Sequence, residues 1–293
     1  MIRKNCFLLF LLLFAGTIVA QPVDVQADYN GVGDCIFTAN NNSKAPVYLH
    51  LNFADLQNTS FPETLPYVKR LTPGFNSLFT LQRDVDADVP RFHYEINSFR
   101  SNPMADVNLD FPYLFPFAEG EKVSVFDVEN IDGFRGNSKM DSWNASGFYA
   151  KAGAAVYAVR NGIVVETVGA KRNDDPQTWY NGWVYNITLM QPDGTLICYR
   201  NVFDKQKQLQ IGQAVYAGQI IGEMAPGTNQ LQILIYHHSL NTNGLLFVIP
   251  QFVIEEGKTD IVNSVTEYTV VHPVSVLGLE MIKREKKKIL GVK

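Results

Sequence analysis

The residues best placed to do chemistry in this chain are amides. Gln230 and Gln232 lie in Gln230-Leu-Gln232-Ile-Leu-Ile235, an apolar run that reads as a strand. Side chains two apart on a strand point to the same face. Asn201 follows Tyr199-Arg200 in a second strand-like segment. Carboxamides donate and accept hydrogen bonds, but they are neutral, bind zinc poorly and do not act as bases near neutral pH. Histidine does both jobs, yet none occurs between His93 and His237. His238 shares the parity of Gln232 but lies roughly 20 Å away at ~3.3 Å per residue, and the pair His237-His238 reads as surface residues. No Ser-His-Asp or Cys-His set at recognisable spacing is present, and no glycine motif that cradles phosphate. These residues offer recognition rather than proton transfer.

Several phrases around the amides form a pattern. One is Gly153-Ala-Ala-Val-Tyr-Ala158, followed by Gly162-Ile-Val-Val. A second is Asp193-Gly-Thr-Leu-Ile-Cys-Tyr199-Arg-Asn201-Val. A third is Gln210-Ile-Gly-Gln-Ala-Val-Tyr-Ala-Gly-Gln-Ile-Ile-Gly222, which leads to Gln230-Leu-Gln232. Together they resemble the core of the lysostaphin-like (LytM-type) peptidoglycan zinc metalloendopeptidases, which write G-T-P-V, Y-x-H-L, G-Q-x-V-x-x-G-Q-x-I-G and H-L-H in this order. The resemblance covers about residues 111–255. It is specific in the glycine-glutamine phrase and weak where the first metal ligands belong.

The resemblance implies a site from which the chemistry is missing. A hydrolytic zinc site takes three protein ligands and keeps one position for water. In the family these are a histidine and an aspartate ahead of G-T-P-V, with the second histidine of H-x-H. Aligned on the glycine phrase, the aspartate position falls on Gly147 and the first histidine within residues 137–143, where Asp141 is the only acid. The H-x-H pair becomes Gln230 and Gln232, and the histidine of Y-x-H becomes Asn201. The expectation is a degenerate member with no catalytic residue, no metal ligand and no cofactor. Its vestigial groove would be lined by Tyr199, Asn201, Gln230, Gln232 and Trp179.

The elements that must hold this site read as all-β. Val47-Tyr-Leu-His-Leu-Asn-Phe53, Ser77-Leu-Phe-Thr-Leu81 and Arg91-Phe-His-Tyr-Glu-Ile96 alternate apolar with polar residues, as half-buried strands do. Turn clusters separate them, so residues 21–110 are expected to form a small β-sandwich. The aromatic phrase Phe111-Pro-Tyr-Leu-Phe-Pro-Phe117 marks the start of the peptidase-like part at 111–255. There, Gly153-Ala-Ala-Val-Tyr-Ala158 recurs as Gly212-Gln-Ala-Val-Tyr-Ala217. The repeat suits the duplicated hybrid motif (barrel-sandwich hybrid) that the resemblance implies. Residues 256–293 form a C-terminal extension, with a strand expected over residues 265–273 and a solvated helix over 277–290.

Composition narrows the setting. A basic head, Arg3-Lys4, precedes an apolar run to Ala20. That reads as a cleaved signal peptide over residues 1–20, because the run falls short of the ~20 residues that span a bilayer. An exported location, periplasmic or extracellular, is the expectation, with no integral membrane segment after cleavage. The formal charge is −4 and becomes −6 without Arg3 and Lys4; residues 283–293 contribute +5 of this and the rest −11. An acidic body argues against nucleic acid as a partner. Cys35 and Cys198 are read as buried free thiols rather than a disulfide. The expected function is a non-catalytic envelope module that binds a peptidoglycan fragment or an envelope protein. An active metalloendopeptidase with rebuilt ligands and a purely structural docking protein are the alternatives.

Overall fold

The computed structural model describes residues 22–128, 142–173, 182–241 and 244–291. The segment read as a signal peptide, Asp141 and Trp179 lie outside them. The chain is built almost entirely of β-structure. The first six strands are β1 (Val23–Tyr29), β2 (Cys35–Asn41), β3 (Val47–Gln57), β4 (Tyr67–Leu71), β5 (Gly74–Leu81) and β6 (Arg91–Phe99). They form two three-stranded sheets, ordered β1-β2-β5 and β4-β3-β6. Alternation decides which side faces in: in β2, Cys35, Phe37, Ala39 and Asn41 are buried while Ile36 and Asn40 are exposed. Phe37 stacks on Phe79 at 4.7 Å between centroids, and Leu49, Leu51, Leu71 and Leu81 complete this first core.

The remaining strands wrap a second core. In chain order they begin with β7 (Pro112–Tyr113), β8 (Lys122–Asp127), β9 (Ser146–Tyr149), β10 (Ala155–Tyr157), β11 (Gly162–Asn173) and β12 (Gly182–Met190). Next come β13 (Leu196–Arg200), β14 (Val202–Phe203), β15 (Ala214–Val215), β16 (Ile220–Met224) and β17 (Gln230–Ser239). The last are β18 (Gly244–Phe247), β19 (Gln251–Glu255), β20 (Lys258–Asp260) and β21 (Glu267–Thr269). The large sheet runs β15-β11-β12-β13-β17-β9-β8-β21, with β18 also paired to β17. A small sheet, β10-β16-β14, packs beside it. The aromatic phrase at 111–117 is core material: Phe111, Tyr113, Leu114, Phe115 and Phe117 are all buried.

The internal repeat has a physical meaning. β10, in the first copy, pairs with β16, which follows the second copy. β15, in the second copy, pairs with β11, which follows the first. Each half thus completes the other's hairpin. The leading glycines of the two copies, Gly153 and Gly212, both have positive φ, 74° and 89°, a conformation that glycine adopts without steric penalty.

Two expectations about the surface need correction. His237 and His238 are not surface residues: His237 is buried, and His238 lies where the first six strands meet the large sheet. The Ser101 hydroxyl lies 2.8 Å from His238 Nδ1 and also accepts the His238 backbone N–H at 2.8 Å. Tyr48, Ala45 and Phe99 pack there against Val165, Met190, Leu196 and Tyr236. β13 is buried on both faces: Ile197 and Tyr199 enter the barrel core, Leu196 meets this second layer, and Cys198 packs with Leu234, Leu245 and Phe247. The other correction concerns the C-terminal extension, which is not one solvated helix. It forms a strand, β21, on the edge of the large sheet, then two short helices, α1 (Val274–Leu277) and α2 (Lys283–Glu285), and a π-helical turn at Lys286–Leu290. The break falls at buried Gly278 and at Glu280, whose carboxylate turns inward to Arg160 at 2.7 Å.

Cys35 and Cys198 are both free and buried. Burial pushes both thiols up to about 11, so neither is a thiolate nucleophile near neutral pH.

Candidate functional site

The vestigial positions come together on the outer face of the large sheet. β17 pairs with β9 so that Gln232 lies opposite Gly147 and Gln230 opposite Tyr149. On its other edge β17 places Gln232 opposite Arg200 of β13. Arg200 in turn lies opposite Asn186 of β12, and Gly147 opposite Phe126 of β8. Directly paired residues of antiparallel strands project from the same face. One row therefore crosses five strands: Phe126, Gly147, Gln232, Arg200, Asn186. The inward parity belongs to Leu231 and Ile233, which enter the barrel core.

The row carries an aromatic ring, two amides and a guanidinium. Gln232 and Arg200 are buried, at 6% and 7% exposure, so an amide and a guanidinium lie side by side in this row. Tyr149, at the edge, is 45% exposed. Its ring packs on Phe126 with centroids 4.8 Å apart. A cleft of about 500 Å³ opens beside Tyr149, lined also by Lys122, Ser124, Lys151 and Ala154.

The four expected groove residues that are described do not behave alike. Gln230 and Gln232 share the outer face. Asn201 stands next to them but is spent on the backbone: its Nδ2 donates to the Gln230 carbonyl at 2.8 Å. Its own N–H and carbonyl bond to Tyr185 and Ala225, and its φ of 65° turns the chain between β13 and β14. Tyr199 is not in the groove at all. It has the inward parity of β13, is fully buried, and its hydroxyl accepts the Val159 N–H at 2.9 Å. Tyr199 and Asn201 are two apart but lie on opposite sides of the point where β13 ends at Arg200, so they do not share a face.

Phe126 belongs to this row and was not among the residues expected from the sequence. A Cβ added to Gly147 would lie 2.6 Å from Phe126 Cε2, 2.7 Å from its Cζ and 2.7 Å from its carbonyl oxygen. The ring thus covers Gly147, the position that the resemblance assigns to the family's aspartate. The signal was present in β8, where Lys122, Ser124 and Phe126 share the outward parity against buried Val123 and Val125. An aromatic on the polar side of a strand needs something to cover, and here it covers a glycine.

The zinc that the resemblance implies does not fit these residues. A catalytic zinc is held by His, Cys or carboxylate donors, whereas two of the positions that the resemblance assigns to ligands carry Gly147 and Gln232; the third falls within residues 137–143, of which only Ser142 and Trp143 are described. Among the described residues no three His, Cys, Asp or Glu side chains gather into a possible metal site.

No family model and no curated protein matches the chain. Solved structures do. The catalytic domain of the antimicrobial peptidase lysostaphin from Staphylococcus simulans is 19% identical over 46% of this chain and 84% of its own, with a TM-score of 0.27. A zinc containing peptidase from Vibrio cholerae is 10% identical over 76% of this chain and 83% of its own, with a TM-score of 0.31. Helicobacter pylori Csd3 is 13% identical over 88% of this chain, which spans 55% of the Csd3 chain, with a TM-score of 0.31. The solved structures to which this chain is similar thus include peptidases of the lysostaphin kind, the family whose motifs its sequence resembles.

Proposed function

We propose that this protein is a non-catalytic, exported relative of the peptidoglycan peptidases that binds a cell-wall peptide instead of cutting it. The observation that carries the proposal is the pairing of Gly147 with Gln232 under the Phe126 ring. Loss of a ligand by drift leaves a vacancy; here an aromatic side chain covers the vacancy and packs on Tyr149. What remains suits a peptide. Amides supply donors and acceptors, Tyr149 supplies an exposed aromatic face, and Lys151 beside it is exposed and favours a carboxylate-bearing ligand.

Two measurements test this. Elemental analysis of the purified protein is expected to find no stoichiometric zinc; one zinc per chain, lost on changing His237 or His238, would overturn the proposal in favour of rebuilt ligands. Titration calorimetry with muropeptides is expected to detect binding. Tyr149→Ala and Gln232→Ala should each weaken it by about tenfold, the worth of one ~1.4 kcal/mol contact. The Tyr149 variant should keep the wild-type melting temperature, because that side chain is nearly half exposed. Absence of heat with every wall fragment, from a protein that still folds, would sink the binding reading.

A further inference from the structure

We propose that residues 279–289 form a docking surface for an anionic phospholipid bilayer. The segment carries Lys283, Arg284, Lys286, Lys287 and Lys288 against two acids, Glu280 and Glu285. The fold sorts these charges by side. Glu280 turns inward to the Arg160 guanidinium at 2.7 Å. Glu285 is used locally: one carboxylate oxygen accepts the Tyr216 hydroxyl at 2.8 Å and the other accepts the Ile282 N–H at 2.9 Å. Lys283, Arg284, Lys287 and Lys288 stay exposed. With both acids occupied on the protein side, the outward surface is cationic.

The aliphatic side chains are sorted in the opposite sense to ordinary packing. Leu279 is 51% exposed, Ile282 63% and Ile289 43%, while Met281 between them is buried at 5%. Met281 and the Glu280 and Glu285 bonds fasten the segment to the barrel, so the exposed aliphatics are held out rather than free to fold back. Cations interleaved with exposed aliphatics are the composition of interfacial membrane segments. A soluble polyanion would engage the cations alone and would make no use of Leu279, Ile282 and Ile289. The rest of the chain is acidic and is repelled by an anionic surface, which leaves this face as the one that approaches it.

The test uses the full chain with vesicles of phosphatidylglycerol and phosphatidylcholine in equal parts, and with phosphatidylcholine alone, in a sedimentation assay. Binding is expected to the anionic vesicles only and should weaken as salt rises. Each cation near such a surface strengthens partitioning about fivefold. Lys283→Gln with Lys287→Gln and Lys288→Gln should therefore lower it about a hundredfold. Ile282→Ser with Ile289→Ser should also lower vesicle binding several-fold. All five positions are exposed, so both variants should melt as the wild type does. Equal binding to neutral vesicles, absence of binding to anionic ones, or undiminished vesicle binding by the isoleucine variant overturns the proposal. The last result would point instead to a contact with a soluble polyanion, checked with inorganic polyphosphate.

Discussion

Gly147→Asp, the change that would restore the family's acidic ligand, is expected to destabilise the protein severely and to bring no zinc with it. The new Cβ meets the Phe126 ring at 2.6 Å and the Phe126 carbonyl oxygen at 2.7 Å, well inside van der Waals contact. Overpacking of this kind costs about 1–3 kcal/mol when side chains can yield, and a backbone carbonyl in a paired strand yields little. Desolvating the carboxylate beside an aromatic ring adds to the penalty. A loss of about 3 kcal/mol or more should lower the melting temperature by roughly 6–12 °C. Phe126→Ala combined with Gly147→Asp should recover part of the loss, since the ring contact goes and the carbonyl contact stays. Adding Asn201→His, Gln230→His and Gln232→His should still give no tight zinc site, because the earlier histidine is missing. A Gly147→Asp protein that melts like the wild type would show that Phe126 does not cover this position.

Arg160→Ala is expected to be the most damaging single change in the second core. Arg160 is 4% exposed and holds four neighbours at once. It pairs with Asp193 and with Glu280 at 2.7 Å each, reaches the Tyr113 hydroxyl at 3.2 Å, and lies 3.8 Å over the Phe111 ring. Removing one partner of a buried ion pair costs about 3–5 kcal/mol, because the other charges stay behind uncompensated. The C-terminal extension should then loosen, which limited proteolysis would detect as new cleavage after residue 273. Unchanged protease resistance would mean that buried Met281 and the Glu285 bond to Tyr216 hold the segment without Arg160.

Glu280→Gln should be milder, since an amide oxygen still accepts from Arg160. Burial raises the Glu280 pKa, and the Arg160 hydrogen bond and charge only partly offset it. The folded state therefore holds this proton more tightly than the unfolded chain. The associated loss of stability is absent below the ordinary carboxylate pKa and accumulates as pH rises through the raised value. Denaturant titrations across that window should show a flatter pH dependence in Glu280→Gln than in the wild type; an equal slope would assign the dependence to another group.

Much of this architecture was legible in the residues. Alternation in Val47-Tyr-Leu-His-Leu-Asn-Phe53 and its neighbours announced strands with one buried side, because side-chain direction repeats every two residues. The echo of Gly153-Ala-Ala-Val-Tyr-Ala158 in Gly212-Gln-Ala-Val-Tyr-Ala217 announced two matching halves, because a positive-φ glycine and a short strand are local requirements. That Gln230, Gln232 and Asn201 are poor metal donors needed no coordinates, since donor chemistry belongs to the residue type.

Tertiary structure decided everything that depends on which face is covered, and by what. Parity placed Gln230 and Gln232 on one side of their strand, but only the pairing of β17 with β9 and of β9 with β8 brought Gly147 beside Gln232 and Phe126 over Gly147. Parity could not place Tyr199 and Asn201 apart, because a positive φ at Asn201 breaks the repeat between them. His238 looked solvated until the first six strands were seen to lie across the end of the large sheet, and Glu280 looked solvated until Arg160 was found beneath it. A strand fixes the directions of its own side chains through local sterics. The layer that later packs against those side chains comes from residues distant in sequence, and no local rule specifies their approach.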